Sequence, residues 1–249
     1  RFGKVQAQAG FRYEHITSDY YEYGKQVEEQ SRKYDHVFPS LAVSFPLGKV
    51  QMQLAYRASI KRPSYWDLRG NITYANRYTY ETGNPLLQST TIQSLSLNTI
   101  YRWMSLSLSY NHYKNDYTSY VRAYSEENPT IGLLTREHIA PYNRLSASLT
   151  LSPVIGKWSP RWGVQVQRYD CKVDTPQGVE TFDNPRAILS WRNTVKFTDS
   201  FWINADAYYQ TKSQIDNTEY LENSWYMNLN LYKGFLNNRM SLQLQVTDL

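Results

Sequence analysis

The sequence lacks long hydrophobic runs: none of its segments reaches the roughly eighteen consecutive apolar residues that a membrane-spanning helix requires. Helical insertion is thereby excluded. A β-barrel is not, because its spanning strands place apolar residues only at alternate positions and leave mean hydropathy low; here it is -0.64. Cysteine is nearly missing, and the single Cys171 rules out an intramolecular disulfide framework and a cysteine-rich metal site. Histidine is sparse as well. His15, His36, His112 and His138 are dispersed without HExxH or other close ligand spacing, so neither a metal site nor a cofactor is expected. GxSxG, Walker and GxGxxG patterns do not occur, which leaves no motif for a catalytic residue. The 27 Lys and Arg lie scattered among 22 Asp and Glu, without a basic helix or an RNA-binding motif, so nucleic acid is not an expected partner. The opening RFGKVQAQAGFRYEH carries no charged, apolar and small-residue signal pattern. The expectation is a processed chain or an internal piece of a longer one.

What the sequence does have is a two-residue period along its whole length. Leu95, Leu97, Thr99 and Tyr101 alternate with Ser94, Ser96 and Asn98; Met104, Leu106, Leu108 and Tyr110 alternate with Ser105, Ser107, Ser109 and Asn111. A two-residue period puts each set on its own face of a strand. The pattern recurs at Val5 to Glu14, at Ser40 to Phe45, at Val50 to Arg57, at Leu145 to Leu151 and at Val164 to Gln167. Further strands follow around Leu189, Phe201, Trp225 and Met240. About eleven strands result, each near the 9–11 residues that cross a bilayer at a tilt. Helix-period stretches are absent. A soluble sandwich would expose Lys, Glu and Thr on the polar face, whereas this polar set is small and mostly uncharged. Such a composition suits a wide barrel with water inside and lipid outside. The expected fold is all-β, an antiparallel up-and-down transmembrane β-barrel, here a partial barrel forming one single segment over 1-249.

Connections are of two kinds. Tight ones are expected at Leu47-Gly48-Lys49, Tyr101-Arg102-Trp103, Thr198-Asp199-Ser200 and Leu236-Asn237-Asn238, with a longer one from Pro153 to Pro160. Between them lie polar stretches at Ser18 to Lys33, Ile60 to Ser89, Ser125 to Leu133, Asp174 to Asn184 and Thr211 to Asn223. Up-and-down strands collect the tight turns at one rim and the long loops at the other, the asymmetry of outer-membrane barrels. Aromatics follow the same geography. Phe45, Tyr101, Trp103, Trp158, Trp162, Phe197, Phe201, Tyr232 and Phe235 flank the tight turns, and Tyr13, Tyr56, Tyr110, Tyr209 and Trp225 lie near the far strand ends. Two girdles at the membrane–water boundaries are expected.

Within Ile60 to Leu87, the runs Arg62-Pro63-Ser64-Tyr65, Asp67-Leu68 and Tyr80-Glu81-Thr82-Gly83-Asn84-Pro85-Leu86 resemble TonB-dependent receptors, in particular the outer-membrane β-barrel family of the Bacteroidetes type. The likeness extends from Gly10-Phe11-Arg12-Tyr13-Glu14 through Phe38-Pro39-Ser40-Leu41 to Val246-Thr247-Asp248-Leu249 and so covers nearly the whole chain. The resemblance implies an outer-membrane location in a Gram-negative cell. It also implies uptake of a scarce nutrient, such as a siderophore, vitamin, glycan or peptide, with energy supplied by a TonB complex acting through an N-terminal plug. Such receptors have barrels of about 22 strands. The chain departs from that pattern in having no plug-like portion and about half the strands. It is therefore expected to be a C-terminal barrel segment whose partners are outer-membrane lipid, the remaining strands and the plug.

No catalytic residue is expected. A ligand-binding surface is, in the longest loop: Arg62, Tyr65, Trp66, Tyr74, Arg77, Tyr78 and Tyr80 combine aromatic faces with cations, and Tyr20, Tyr21 and Tyr23 repeat the theme in the first loop. Such groups stack on sugars, chelate rings or peptide side chains, and long loops commonly carry function. Competing readings are a passive porin-like barrel, a soluble β-protein whose aromatics fill a core, and an outer-membrane protease or lipase with a loop-borne site. The last would draw on Asp35 with His36 or on His112 with Asp116, though adjacent strand residues point to opposite faces.

Overall fold

The structure is a computed structural model that describes residues 4–28, 31–175, 178–214 and 220–249. The alternating stretches form eleven long strands: β1 (Gln6–Ser18), β2 (Arg32–Leu47), β3 (Val50–Lys61), β4 (Thr90–Tyr101), β5 (Met104–Lys114) and β6 (Tyr142–Leu151). They continue with β7 (Trp158–Tyr169), β8 (Arg186–Thr198), β9 (Phe201–Gln210), β10 (Ser224–Phe235) and β11 (Met240–Val246). All eleven lie in one sheet in the order of the chain, each antiparallel to the next. The expected up-and-down architecture and strand count are both met.

Register keeps the two faces pure. Leu54, Leu97, Leu108, Ala147 and Val166 are successive cross-strand partners from β3 to β7. One residue along, Gln53, Asn98, Ser107, Ser148 and Gln165 form the corresponding row on the opposite face. A one-residue slip would interchange the faces of a whole strand, so the pattern itself fixes the register. Leu95, Leu97, Leu106 and Leu108 thus share one face, and Ser94, Ser96, Ser105 and Ser107 the other.

The apolar face is not a core. Leu95 is 46% exposed, Leu145 56% and Leu41 48%. A soluble β-protein would bury these side chains, at about 1.5–3 kcal/mol each; here no part of the described chain covers them. The cluster of buried apolar residues lies instead at the loop end, on the polar side of the sheet. There Tyr113 and Tyr142 stack at 4.7 Å beneath a hairpin of Cys171–Thr175 and Gly178–Phe182, which supplies Cys171, Val173 and Phe182.

The two rims differ as expected. Gly48 (φ 63°) and Arg102 (φ 50°) take the left-handed backbone that a two-residue hairpin turn needs at its first position. The described parts of the five long connections lie at the other rim. Two expected boundaries are corrected. The third loop is not confined to Ser125–Leu133: β5 stops at Lys114, where Asn115 turns to φ 57°, and the chain forms a separate hairpin of Tyr117–Ala123 and Gly132–His138 before β6 begins. Neither arm of that hairpin, YTSYVRA or GLLTREH, keeps the strict alternation of the barrel strands, so the two-residue period does not announce it. The turn expected to reach Pro160 ends earlier, since β7 starts at Trp158.

One aromatic leaves its expected girdle. Tyr232 pairs with Trp202 and Gln243 on the polar face, stacking on Trp202 at 5.1 Å. Its neighbours Leu231 and Lys233 take the apolar side, and strict alternation forces Tyr232 inward. Tyr56 and Tyr110, by contrast, share the apolar row with Leu95 and Leu145, and Tyr209 lies between Leu189 and Trp225.

Candidate functional site

The long loops build a structure of their own above the sheet. A four-stranded sheet joins the second and third long loops: the hairpin Thr73–Asn76 and Thr79–Glu81 adds, by parallel pairing of Thr79–Glu81 with Gly132–Leu134, to the hairpin of the third loop. At its foot is a one-turn helix, Tyr65–Leu68, which periodicity does not announce. It starts because Ser64 and Asp67 form a reciprocal capping box: Ser64 Oγ accepts from the Asp67 N–H, and Asp67 Oδ2 accepts from the Ser64 N–H at 3.0 Å and from Ser64 Oγ at 2.6 Å.

Asp67 is the hub. It also accepts from Arg136 Nε at 3.2 Å and from the Tyr117 hydroxyl at 3.2 Å, and both donors come from the third loop. Partial burial alone would raise the Asp67 carboxyl; the hydrogen bonds from Ser64, Tyr117 and Arg136 outweigh it and hold the group below its ordinary value. Tyr117 moves the other way, pushed up to about 12 by burial and by the Asp67 charge. The Tyr80-to-Leu86 run closes on the same helix. The Asn84 N–H donates to the Asp67 carbonyl at 2.6 Å, Asn84 Nδ2 donates to the Arg136 carbonyl at 2.9 Å, and Thr135 Oγ1 donates to the Gly83 carbonyl at 3.2 Å. Gly83 passes so near the helix that a Cβ there would lie 2.5 Å from the Asp67 carbonyl oxygen. Only glycine tolerates that approach.

Around this hub lies a polar pocket of about 250 Å³, lined by Trp66, Asp67, Arg69, Glu81, Thr82, Leu134 and Arg136. Arg69 donates from Nη2 to Thr73 Oγ1 at 3.1 Å, stands 3.6 Å from the Glu81 carboxylate and lies over the Trp66 ring at 5.1 Å. Its Nε is buried and has no hydrogen-bond partner.

The seven residues expected to form one binding surface are divided by the fold. Tyr65 and Trp66 project from the short helix, 85% and 70% exposed. Tyr74 and Tyr80 stand 5.9 Å apart across their hairpin, and Tyr80 meets Tyr124 of the third loop edge-on at 4.7 Å. Arg77 covers the Tyr78 ring at the hairpin tip. Arg62 turns away to an ion pair with Glu14 of β1 and anchors the loop base. Tyr65, Trp66, Tyr74 and Tyr78 therefore remain exposed, whereas Arg62 is engaged and Tyr80 is half-buried. Sequence reasoning passed over Arg69, Arg136, Tyr117 and Tyr124. The Ser64-x-x-Asp67 spacing is a capping-box pattern that could have marked the helix start, but nothing local links it to residues of the third loop some 50 to 70 positions on.

The parts considered for catalysis do not assemble. His36 stacks on Phe38 on the polar face, while Asp35 faces the other way and meets His15 at 2.8 Å. His112 bonds Asn143 at 2.9 Å; Asp116 instead accepts from the Tyr142 hydroxyl at 2.6 Å and from Thr90 Oγ1 at 3.0 Å. The Cys171 thiol is pushed up to about 11 by burial and by the Asp116 and Asp170 charges, which makes it a poor nucleophile. Among the described residues, no group of three His, Cys, Asp or Glu is placed to hold a metal ion.

Comparison with known proteins adds the following. A family model described as outer membrane protein beta-barrel family matches residues 1–249. No curated protein matches the chain. Among solved structures, a mutant of the ferric enterobactin receptor PfeA of Pseudomonas aeruginosa, in complex with enterobactin, is 16% identical with a TM-score of 0.63 over 100% of this chain and 38% of its own. The siderophore receptor PirA of Pseudomonas aeruginosa is 13% identical with a TM-score of 0.65, over 99% of this chain and 42% of its own. The FrpB iron transporter of Neisseria meningitidis is 11% identical with a TM-score of 0.62, over 99% and 39%. The chain thus spans about two fifths of the length of these relatives, and at such identities the likeness concerns the fold.

Proposed function

Because the chain belongs to the outer membrane protein beta-barrel family and is a Gram-negative outer-membrane protein, we propose that it is the barrel segment of a receptor that takes up a scarce nutrient in a TonB-dependent way. The observation that carries this reading is the loop assembly. Two loops are welded into a sheet by parallel pairing and by the Asp67–Arg136 contact; the sheet exposes Tyr74 and the Tyr78 turn, and the short helix at its foot exposes Trp66. A connector needs none of this; a preorganised aromatic and cationic surface suits capture of a solute with ring faces or negative charge. The names of the solved relatives, receptors and transporters for siderophores and iron, support the same reading.

In this reading residues 1–249 are a single barrel segment. The remaining strands and the plug come from elsewhere in the parent polypeptide, and the plug carries the coupling to the TonB complex. The Arg62-Pro63-Ser64-Tyr65 and Gly83-Asn84-Pro85 runs support a Bacteroidetes-type member. Transport rather than catalysis is favoured by the separation of His36 from Asp35 and of His112 from Asp116.

The test uses cells carrying the full-length receptor and radiolabelled ferric siderophore, corrinoid, oligosaccharide and oligopeptide probes. At least one probe accumulates, and accumulation stops when the proton-motive force is collapsed. Entry that is insensitive to the uncoupler, or absent for every class of probe, overturns the proposal. With the accepted probe, changing Trp66 and Tyr78 together to Ala weakens binding by roughly tenfold or more while the amount of folded barrel is unchanged.

A further inference from the structure

The apolar face of the sheet is uneven. Across β3 to β7 the row Leu54, Leu97, Leu108, Ala147, Val166 dips at Ala147, its smallest member, and the adjacent row Leu95, Tyr110, Leu145, Arg168 forms one wall. The result is a groove of about 380 Å³ running across the strands and ending at Arg168. That volume lies within the roughly 300–1,000 Å³ of small-molecule sites. Its walls are apolar except at that end. Strands of outer-membrane barrels tilt by about 35–45°, so a groove across them is also oblique to the membrane normal and follows the path of a bent acyl chain.

The Arg168 end is built. The Tyr110 hydroxyl donates to Asn143 Oδ1 at 2.6 Å, and Asn143 Nδ2 donates to Asp170 at 2.7 Å, so the ring that walls the groove is held in place and the Asp170 charge is engaged. Arg168 lies in the apolar face one register row below Asn143. Its side chain is 59% exposed and, among the described residues, pairs loosely with Asp183, at 3.6 Å, in the loop beyond the hairpin that caps the polar side. Lys114, exposed on the same face two strands away, adds a second cation at the loop rim. A long basic side chain in this position keeps its stem in hydrocarbon and its head at the boundary. A guanidinium that borders a lipid-facing apolar groove and is held loosely by Asp183 matches a phosphate, which it can bind through two parallel N–H bonds.

We infer that this groove is a specific site for a phosphate-bearing membrane lipid, with one acyl chain lying over Ala147 and the headgroup phosphate held by Arg168. The occupant is a lipid rather than a protein because the face lies in the hydrocarbon of the outer membrane, and the cation sits at one end rather than around the rim. The inference rests on the barrel's orientation in the membrane and not on the nutrient it carries.

The test takes the full-length receptor from outer membranes into mild detergent and measures, by native mass spectrometry and by organic extraction, the lipid that survives detergent exchange. The wild type retains a phosphate-bearing lipid. Ala147→Phe, which fills the groove, lowers retention by about tenfold or more, while Ala205→Phe, elsewhere on the same face, leaves it unchanged. Arg168→Gln keeps a lipid but abolishes the preference for one with phosphate. Heat-modifiable gel mobility reports that each variant barrel is folded. Equal retention by Ala147→Phe and Ala205→Phe overturns the site, as does retention of lipids without regard to phosphate in the wild type. Phosphate that stays in the aqueous phase would identify a free ion in place of the lipid and would also overturn it.

Discussion

The apolar face of the barrel sheet and the small core at its loop end are made of similar residues and behave oppositely. On the sheet, Leu95, Leu145 and Leu189 stand 44–56% exposed; at the loop end Val173, Phe182 and Tyr113 are 3–8% exposed, tucked beneath a hairpin. The difference lies in the solvent. Lipid tails are as apolar as Leu, so the sheet gains little by covering its leucines with protein, whereas the loops stand in water and must bury what they can.

That contrast can be broken most forcefully with Phe182→Ala. Loss of a well-packed ring from the loop core costs about 3–5 kcal/mol, and it loosens the hairpin rather than the barrel. Limited proteolysis around residues 171–182 increases while heat-modifiable mobility stays intact. Leu108→Ala, of comparable size but facing lipid, costs much less because hydrocarbon fills the space; equal costs at the two sites would erase the distinction.

A second pair sharpens the comparison between the two faces of one strand. Leu106→Arg costs roughly 2–4 kcal/mol if the position lies near the bilayer midplane, and its neighbour Ser107→Arg costs far less, measured by urea unfolding in lipid vesicles. Equal penalties contradict the assignment of the leucine face to lipid.

Next in size is the hub that ties the loops. Asp67→Asn leaves Arg136 part-buried with a neutral partner and costs about 1–3 kcal/mol of loop stability. The pH dependence has a definite sign. The Asp67 carboxyl is held below its ordinary value in the folded loops, so its contribution is complete above the unfolded value of about 3.9 and is lost as pH falls through the folded value. Proteolytic nicking between residues 60 and 89 rises in acid in the native protein, and in Asp67→Asn it is already raised at neutral pH and varies little below it.

The smallest expected change in stability, close to none, comes from single cysteines that test which rim is outside. Arg77→Cys and Glu127→Cys, in the welded loops, react with an impermeant thiol reagent on intact cells; Gly48→Cys and Asp199→Cys, in the tight turns, do not. The reverse pattern inverts the barrel and moves the proposed binding surface to the periplasm.

Much of this was legible residue by residue. Alternation from Leu95 to Asn111 specified two strands, their pairing and their faces, because a side-chain period of two leaves one register that keeps leucine with leucine. Gly48 and the short polar breaks specified the turns. Tyr232 shows where the reading slipped: proximity to a turn suggested a girdle, but parity with Leu231 placed the ring inside. The site was less legible. Tyr65, Trp66 and Tyr78 could be named from composition, yet the separation of Arg62 from them follows from Glu14, a residue of the first strand.

The sequence by itself determined the strands, their order, the purity of the two faces and the unequal rims, since each follows from local period and local turn chemistry. Tertiary structure alone decided that Asp67 meets Arg136 and Tyr117, that Thr79–Glu81 pairs in parallel with Gly132–Leu134, that Gly83 must be glycine, and that Ala147 opens a groove ending at Arg168. Those contacts join residues that are distant along the chain, through irregular loops or across several strands. Short-range periodicity carries no information about them, and only the packing of the loops on one another and the pairing of neighbouring strands bring them within hydrogen-bond or van der Waals reach.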